Sequence, residues 1–350
     1  MLKNTLPSPY DLQKKLPISH GISLKMVKNQ QDIQKIFTKK SNKLLLFVGP
    51  CSLHKIEDFF DYANLFKKLS YEVSKNILLV LRVFSEKSRT GNGWKGYLYD
   101  PYLDSSFDIE TGLIQTRRLL LELNNMDIPC SMEFVDPLAV TYLSDLISWG
   151  FIGARTSSSQ PHRQFVSSLS FPVGFKNATD GSIEPAIQGV LSSRHEQSFI
   201  GIDEHGKICK KHSLGNPYTH LVLRGSSQGS NYDKSSVASA VEMCQKHCID
   251  PKILIDCAHG NSQKNPLKQI DVLENVLQQI LEGNSYILGM MLESFLHLGN
   301  QPHSLHPVNG ISITDPCLDW NTTEEVILKT NALLEENNLV HKDEKVFSFS

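Results

Sequence analysis

The chain has little of several things that would place it quickly. Its seven cysteines among 350 residues are odd in number and too sparse for a disulfide framework, which fits a reducing, cytoplasmic setting. Neither sign of charge prevails. With 35 basic and 37 acidic side chains the net is −2, so a nucleic-acid partner has no electrostatic support from the whole chain. No run approaches the roughly 20 apolar residues that span a bilayer, and no membrane partner is expected. The opening MLKNTLPSPYDLQKKLPIS lacks the apolar stretch of a secretory leader. Internal repeats and low-complexity tracts are missing, and so is the G-x-S-x-G elbow of serine hydrolases. The 40% hydrophobic content suits an ordinary globular protein, with chain enough for one barrel-sized core or two smaller ones.

What the chain does have is a regular alternation. Short apolar, β-rich runs fall at 44–51, 77–84, 128–135, 151–156, 172–177, 219–225, 252–258 and 286–293. They are nearly continuous in apolar character, as strands covered on both faces are. Helical spacing fills the gaps, as at Phe59, Ala63, Phe66 and Leu69. One helix over 137–149 is expected to stop at Gly150, a second covers 159–169, and Gly181 opens another. Eight strands alternating with helices predict an α/β fold, a (β/α)8 TIM barrel, with an open doubly wound sheet as the rival. Residues 1–43 form an N-terminal extension with one helix near 28–40, read as an oligomer or regulatory arm. The catalytic barrel spans 44–338, and 339–350 is a C-terminal tail. Residues 198–216 break the rhythm as an inserted β-hairpin turning at Glu204-His-Gly206, and 88–110 is a long loop without periodicity.

In a barrel the loops after the strands share one face, and the polar residues there form a consistent set. Arg82, Arg155, Lys176 and Arg224, joined by Lys87 and Arg89, make a cationic pocket that calls for a multiply charged anion such as a phosphate or carboxylate. Each of them singly reads as well as a surface ion pair; the set does not. Cys51, His259, Glu293 and Asp315 lie at strand ends or just beyond and offer a mixed soft and hard donor set for a divalent ion: Mn, Fe, Co or Zn. Singly, Cys51 is a small core residue and His259 a hydrogen-bonded barrel histidine. Gly91-Asn-Gly93-Trp-Lys-Gly96 spells a dinucleotide fingerprint, but no apolar helix follows it. Cys244-Gln-Lys-His247-Cys248 has no partner pair and reads as helix packing.

Taken in order, the motifs point to a family. Gly49-Pro-Cys-Ser52, Arg82, Glu86-Lys-Ser-Arg-Thr90, Gly93-Trp-Lys-Gly96 and Gly153-Ala-Arg-Thr156 lead the series. Gly174-Phe-Lys-Asn177, Leu223-Arg-Gly225, Ile255-Asp256 with His259, and Ser312-Ile-Thr-Asp315 complete it. The chain resembles type I 3-deoxy-D-arabino-heptulosonate 7-phosphate (DAHP) synthases, the feedback-regulated entry enzymes of the shikimate pathway. The resemblance implies a metal-dependent condensation of phosphoenolpyruvate with erythrose 4-phosphate and water, giving DAHP and phosphate, on the route to aromatic amino acids. It implies Cys51, His259, Glu293 and Asp315 as metal ligands, with Lys87, Cys51 and His259 catalytic. It implies Arg82, Glu133, Ala154, Arg155, Lys176 and Arg224 around phosphoenolpyruvate, and Arg89 with Thr90 on the erythrose phosphate. Lys87 is placed to give a proton or hydrogen bond to the aldehyde oxygen, its pKa expected to fall beside Arg82 and Arg89. A homodimer or homotetramer is implied.

The chain departs from the family at Ser88, where proline is usual, and at Ala178, where glycine is usual. Ser88 loosens the loop that holds Arg89. Ala178 is acceptable only at negative φ. An aromatic amino acid inhibitor is implied, with Asp136, Leu169, Ser170 and Phe199 at its site; Pro137, Val140 and Gly201 differ from the familiar pattern. Cys317, two residues beyond Asp315, is expected to lie against Cys51 and to bridge it on oxidation without metal. Other readings are a synthase using arabinose 5-phosphate, a catalytically silent barrel that binds a partner enzyme, and a Schiff-base aldolase using Lys87 or Lys176.

Overall fold

The structure is a computed structural model that describes residues 5–347, with side chains described through residue 337. In chain order the strands are β1 (Leu44–Gly49), β2 (Ile77–Arg82), β3 (Cys130–Glu133), β4 (Trp149–Ile152), β5 (Val173–Lys176), β6 (Gln197–Ile202), β7 (Ile208–Ser213), β8 (Thr219–Leu223), β9 (Ile253–Asp256) and β10 (Ile287–Glu293). All but β6 and β7 close into a parallel barrel in the order β1-β10-β9-β8-β5-β4-β3-β2. The ring shuts through β1, which pairs β2 on one side and β10 on the other. The (β/α)8 expectation holds.

Alternation along each strand builds two apolar layers. Leu45 and Phe47 point into the barrel with Val80, Trp149, Phe151, Val222, Leu254 and Met291. Their neighbours Leu44, Leu46 and Val48 face the helix layer. The runs look continuously apolar because both faces are buried. Around the ring lie α3 (Ile56–Glu72), α4 (Ile109–Asn125), the short α5 (Val140–Leu143), α6 (Gln160–Ser167), α7 (Glu184–Arg194), α8 (Lys234–Lys246), α9 (Lys268–Leu281) and α10 (Trp320–Phe347). No helix among the described residues is long and apolar enough to cross a membrane.

The N-terminal segment carries two helices instead of one. Pro9–Lys15 forms α1, with Ser8 and Asp11 closing a capping box and Pro9 in the first turn. His20–Phe37 forms α2, the second, capped by Ser19. The second plugs the barrel floor, adding Ile33, Ile36 and Phe37 to the interior layer. Phe37 sits 4.4 Å from the His220 ring. Burial of each such side chain contributes roughly 1.5–3 kcal/mol, so this segment is part of the barrel's core.

Three local expectations change. The stretch 137–149 holds only α5 and one 3-10 turn, and Gly150 lies inside β4. Its glycine has a packing cause: a Cβ there would stand 2.2 Å from the Phe134 ring. Gly181 does not itself open α7; it sits at φ +98 in the turn closed by Ala178 N–H donating to Ser182 O at 2.9 Å. Ala178 is not among the residues with positive φ, so the departure at that position is tolerated. The hairpin forms as expected, paired from Gln197↔Ser213 to Ile202↔Ile208. Its turn is tied to the first helix by Tyr10 N–H donating to Glu204 O at 2.7 Å. α10 continues past residue 338, and the last three residues of the expected tail lie outside the described residues.

Candidate active site

The strands end on one rim, and the polar residues at their ends converge there. Cys51 follows β1, Arg82 ends β2, Glu133 ends β3, Lys176 ends β5 and Glu293 ends β10. Ala154 and Arg155 follow β4, Arg224 follows β8 and His259 lies just after β9. A cavity of about 310 Å³ opens among them, lined by Lys87, Arg89, Thr90, Glu133, Ala154, Arg155, Lys176, Arg224, His259 and Asp315, and also by Lys264. Arg155 donates to the Thr90 hydroxyl at 2.6 Å, joining two of the expected anion contacts. Arg89 is held by the Trp94 carbonyl at 2.9 Å. Asn177 accepts the Arg224 backbone N–H at 2.8 Å and fixes the start of that loop.

Arg82 is set back from the cavity wall. It is 1% exposed, its Nη2 lies 2.9 Å from Glu293, and its guanidinium covers the Phe84 ring at 4.2 Å. Its Nη1 is buried without a hydrogen-bond partner. A buried donor left unmet is costly unless a ligand oxygen reaches it.

Beneath the cavity, donor atoms of Cys51, Glu293 and Asp315 lie within 4.8 Å of one another. His259 borders this group, Nε2 standing 3.6 Å from Glu293. One buried sulfur, two carboxylates and an adjacent imidazole nitrogen fit a divalent transition ion. Two of these donors also touch a cation of the chain: Lys87 is 2.7 Å from the Cys51 sulfur, and Lys264 is 3.0 Å from Asp315. Burial, with the Glu293 charge beside it, pushes the Cys51 thiol up to about 11. Burial also pushes Asp315 upward, but Lys87, His259 and Lys264 outweigh it and hold the carboxyl at about 2.

Lys87 corrects the sequence expectation. Burial pulls its ammonium down, yet Cys51, Glu293, Asp315 and Glu133 together hold it above the ordinary lysine value. Arg82 and Arg89 lie nearby in sequence, but the acids lie nearer in space. Lys87 therefore stays charged at neutral pH.

Two residues gain roles that the sequence did not assign. Asp256, wholly buried, takes Lys176 at 2.7 Å and the Nδ1 of His259 at 2.9 Å on the same oxygen. That contact orients His259 so that Nε2 faces the donor group. His259 sits at φ +57, a strained value for a non-glycine residue, as do Gln263 and Lys264 at +54 and +60. Lys264 carried one usable signal, a basic residue in the same strand-end loop as His259.

A second cavity of about 490 Å³ lies between α5, α6 and the hairpin, lined by Pro137, Leu138, Phe165, Leu169, Phe199 and Gly201 among others. Of the four residues expected at an inhibitor site, Leu169 and Phe199 line it and the other two do not. Asp136 accepts from the Tyr99 hydroxyl at 3.1 Å and from Leu138 N–H at 2.8 Å. The Ser170 carbonyl is turned to Gln34, whose side-chain amide donates to it at 3.0 Å. The first helix instead contributes Pro9 and Gln13 to this cavity.

Comparison with known proteins matches residues 22–328 to the DAHP synthetase I family. The chain belongs to that family. Among its relatives is the Tyr-sensitive phospho-2-dehydro-3-deoxyheptonate aldolase of Escherichia coli K12, 41% identical over 345 residues, covering 97% of this chain and 94% of that one. The Trp-sensitive enzyme of the same strain is 37% identical over 327 residues, with 93% and 94% covered. A solved structure of a phospho-2-dehydro-3-deoxyheptonate aldolase from Francisella tularensis SCHU S4 superposes with a TM-score of 0.93 at 36% identity, covering 95% of this chain and 98% of that one. Family membership accounts for the order of the motifs, while the geometry above shows how this member arranges them.

Proposed function

We infer that the protein is a 3-deoxy-7-phosphoheptulonate synthase, which joins phosphoenolpyruvate to erythrose 4-phosphate with water and releases DAHP and inorganic phosphate. The observation that carries this reading is a cationic cavity directly above buried sulfur and carboxylate donors. Two anions must be held together, and Arg155, Lys176 and Arg224 offset the repulsion of phosphoenolpyruvate's phosphate and carboxylate. The orphaned Nη1 of Arg82 offers a further donor from below. Arg89 and Thr90 take the erythrose phosphate.

In the reaction, carbon 3 of phosphoenolpyruvate bonds to the aldehyde carbon. Water adds at carbon 2, and the C–O bond to phosphate breaks as phosphate leaves. Lys87, held charged by the surrounding acids, donates a hydrogen bond or proton to the aldehyde oxygen as its negative charge grows. Asp256 holds Lys176 in a buried ion pair and keeps His259 oriented. A divalent ion held by Cys51, His259, Glu293 and Asp315 would supply Lewis acidity toward that oxygen. Its identity lies among Mn, Fe, Co and Zn.

The 490 Å³ cavity takes an aromatic amino acid: its lining is largely apolar, with Phe165 and Phe199 in its walls, and the curated relatives are named Tyr- and Trp-sensitive. We place the protein in the cytoplasm as a homodimer or homotetramer, which light scattering on the eluted protein would size.

The deciding assay follows loss of the enol absorbance in metal-loaded protein with either erythrose 4-phosphate or arabinose 5-phosphate, with a chelator control and each aromatic amino acid alongside. Chelator-sensitive turnover with erythrose 4-phosphate alone is expected. Turnover with arabinose 5-phosphate, or with neither sugar despite bound metal, refutes the reading.

A further inference from the structure

Arg224 lines the active-site cavity, yet no acid aims its guanidinium. Among the described residues it pairs with no carboxylate, and its Nη1 donates to Gly225 O at 3.3 Å. Its direction is therefore set by the backbone that carries it. That backbone turns sharply as it leaves β8. Gly225 sits at φ +68, and a Cβ there would stand 2.5 Å from Asn261 N. Glycine is the residue least confined to any one conformation, so a left-handed glycine next to a ligand-binding side chain has to be held by its neighbours.

Three asparagine side chains do the holding. Asn177, after β5, accepts the Arg224 N–H at 2.8 Å and donates to Gly225 O at 3.1 Å. Asn231, at the far end of the loop, accepts the Gly225 N–H at 2.7 Å and donates to Asn177 Oδ1 at 3.2 Å. Asn261, two residues beyond His259, accepts the backbone N–H of Asn231 at 2.8 Å and donates to Asp256 O at 2.8 Å. Gly260 N–H meets Arg224 O at 3.1 Å, so every backbone N–H and C=O of Arg224 and Gly225 has a partner. Each amide is used at both ends, oxygen toward N–H and nitrogen toward C=O, and none can be turned over without losing bonds. The loop between is exposed at 227–230 and is held by Ser226 N–H to Gly229 O at 2.8 Å and Ser227 N–H to Thr179 O at 3.4 Å. Neither bond reaches Gly225.

Asn231 divides its contacts. Its side chain goes to Gly225 and Asn177, the residues that follow Arg224 and Lys176, while its backbone N–H goes to Asn261 on the His259 side. We propose that Asn231 is a positioning residue for phosphoenolpyruvate: its side-chain amide fixes the peptide after Arg224 and so aims the guanidinium into the cavity beside Lys176. The proposal rests on the reading of Arg224 and Lys176 as phosphoenolpyruvate contacts. Without the amide, the buried Gly225 N–H loses its acceptor and the glycine samples the conformations open to it. The guanidinium then spreads over positions that no longer match a bound phosphate. Arg89 and Thr90 hydrogen-bond elsewhere, to Trp94 O and Arg155, so the sugar-phosphate end keeps its own support.

The test uses the full, metal-loaded chain with N231A, N231D and, as a reference, R224A. Calorimetry with phosphoenolpyruvate in the absence of sugar gives Kd, steady-state kinetics give kcat and KM for each substrate, and metal content is measured on the same preparations. N231A is expected to weaken phosphoenolpyruvate binding about tenfold and to raise its KM by a similar factor, with kcat changed less. KM for erythrose 4-phosphate and metal content should stay parental, because the backbone N–H of residue 231 still reaches Asn261. N231D keeps an acceptor for the Gly225 N–H and loses the donor to Asn177, so a smaller loss of about threefold is expected, again for phosphoenolpyruvate alone. It carries the test if N231A does not fold. Parental phosphoenolpyruvate binding in the folded variants, beside a large loss in R224A, overturns the positioning role and leaves the cavity reading standing. Parental binding in R224A itself overturns both. Equal losses for both substrates and the metal mark Asn231 as a general stabiliser and also overturn the proposal.

Discussion

Asp256→Asn is the sharpest perturbation this site offers, because one buried oxygen serves two partners. In the parent, Lys176 Nζ and Asp256 Oδ2 are 2.7 Å apart with side chains 5% and 0% exposed. Removing the carboxylate strands a buried ammonium, and breaking such a pair costs about 3–5 kcal/mol. Part of that is offset. Lys176 already lies 4.2 Å over the Phe151 ring, a desolvated cation–π contact worth about 2 kcal/mol. A net loss of about 1–3 kcal/mol in unfolding free energy follows. The second partner gives a separate signal. His259 Nδ1 loses the carboxylate charge 2.9 Å away, so the ring no longer holds Nε2 toward Glu293, and affinity for a divalent ion should fall about 10- to 100-fold. Denaturant melts and metal titration of the same preparations read the two effects apart. The double variant Lys176→Met with Asp256→Asn removes the stranded charge, so it should regain stability while metal affinity stays low. If Asp256→Asn melts early yet binds the ion as the parent does, the argument that Asp256 orients a metal-ligating histidine is refuted.

Other outcomes follow from the same geometry. Cys51→Ala should remove metal affinity and activity together, and a variant that kept both by metal analysis and enol assay would end the ligand assignment. Cys51 N–H lies 3.4 Å from the Cys317 sulfur, so air oxidation of chelated protein should join the two thiols. Burial raises both thiol pKa values, so this should be slow at neutral pH and faster in alkali. Peptide mapping that found both thiols free at high pH would remove the idea. Glu86 has a pH signature: its carboxyl rises from 4.5 to about 8 on folding. Below 4.5 both states hold the proton; between the two values only the native state does, so stability falls as pH rises across that window, by an order of a few kcal/mol. E86Q should flatten the slope in denaturant midpoints taken across the window, and an unchanged slope would contradict the assignment.

The strands and the family were legible in the chain because their causes are local. A strand buried on both faces must be apolar at nearly every position, and the eight barrel strands each overlap a run visible in the sequence. The motifs carried the site in the same way, since residues at strand ends are brought to one rim by the barrel whatever the intervening helices contain. Spacing also sufficed for the hairpin, whose Gly206 turn sits at φ +76.

Tertiary structure decided what depends on distance between segments far apart in sequence. Lys87 has Arg82 and Arg89 within five positions, yet its pKa is raised by Cys51, Glu293, Asp315 and Glu133, which arrive from distant parts of the chain. Arg82 reads as a substrate ligand from its motif, but Glu293 and Phe84 hold it behind the cavity wall. Gly150 reads as a helix stop because glycine breaks helices; its cause is the Phe134 ring, 16 positions earlier, pressed against its backbone. The polar N-terminal segment gave no sign that Ile33, Ile36 and Phe37 would close the barrel floor, since three apolar residues acquire that role only when an open strand end faces them. Charge and packing act through space, and the chain records only the order in which its residues reach it.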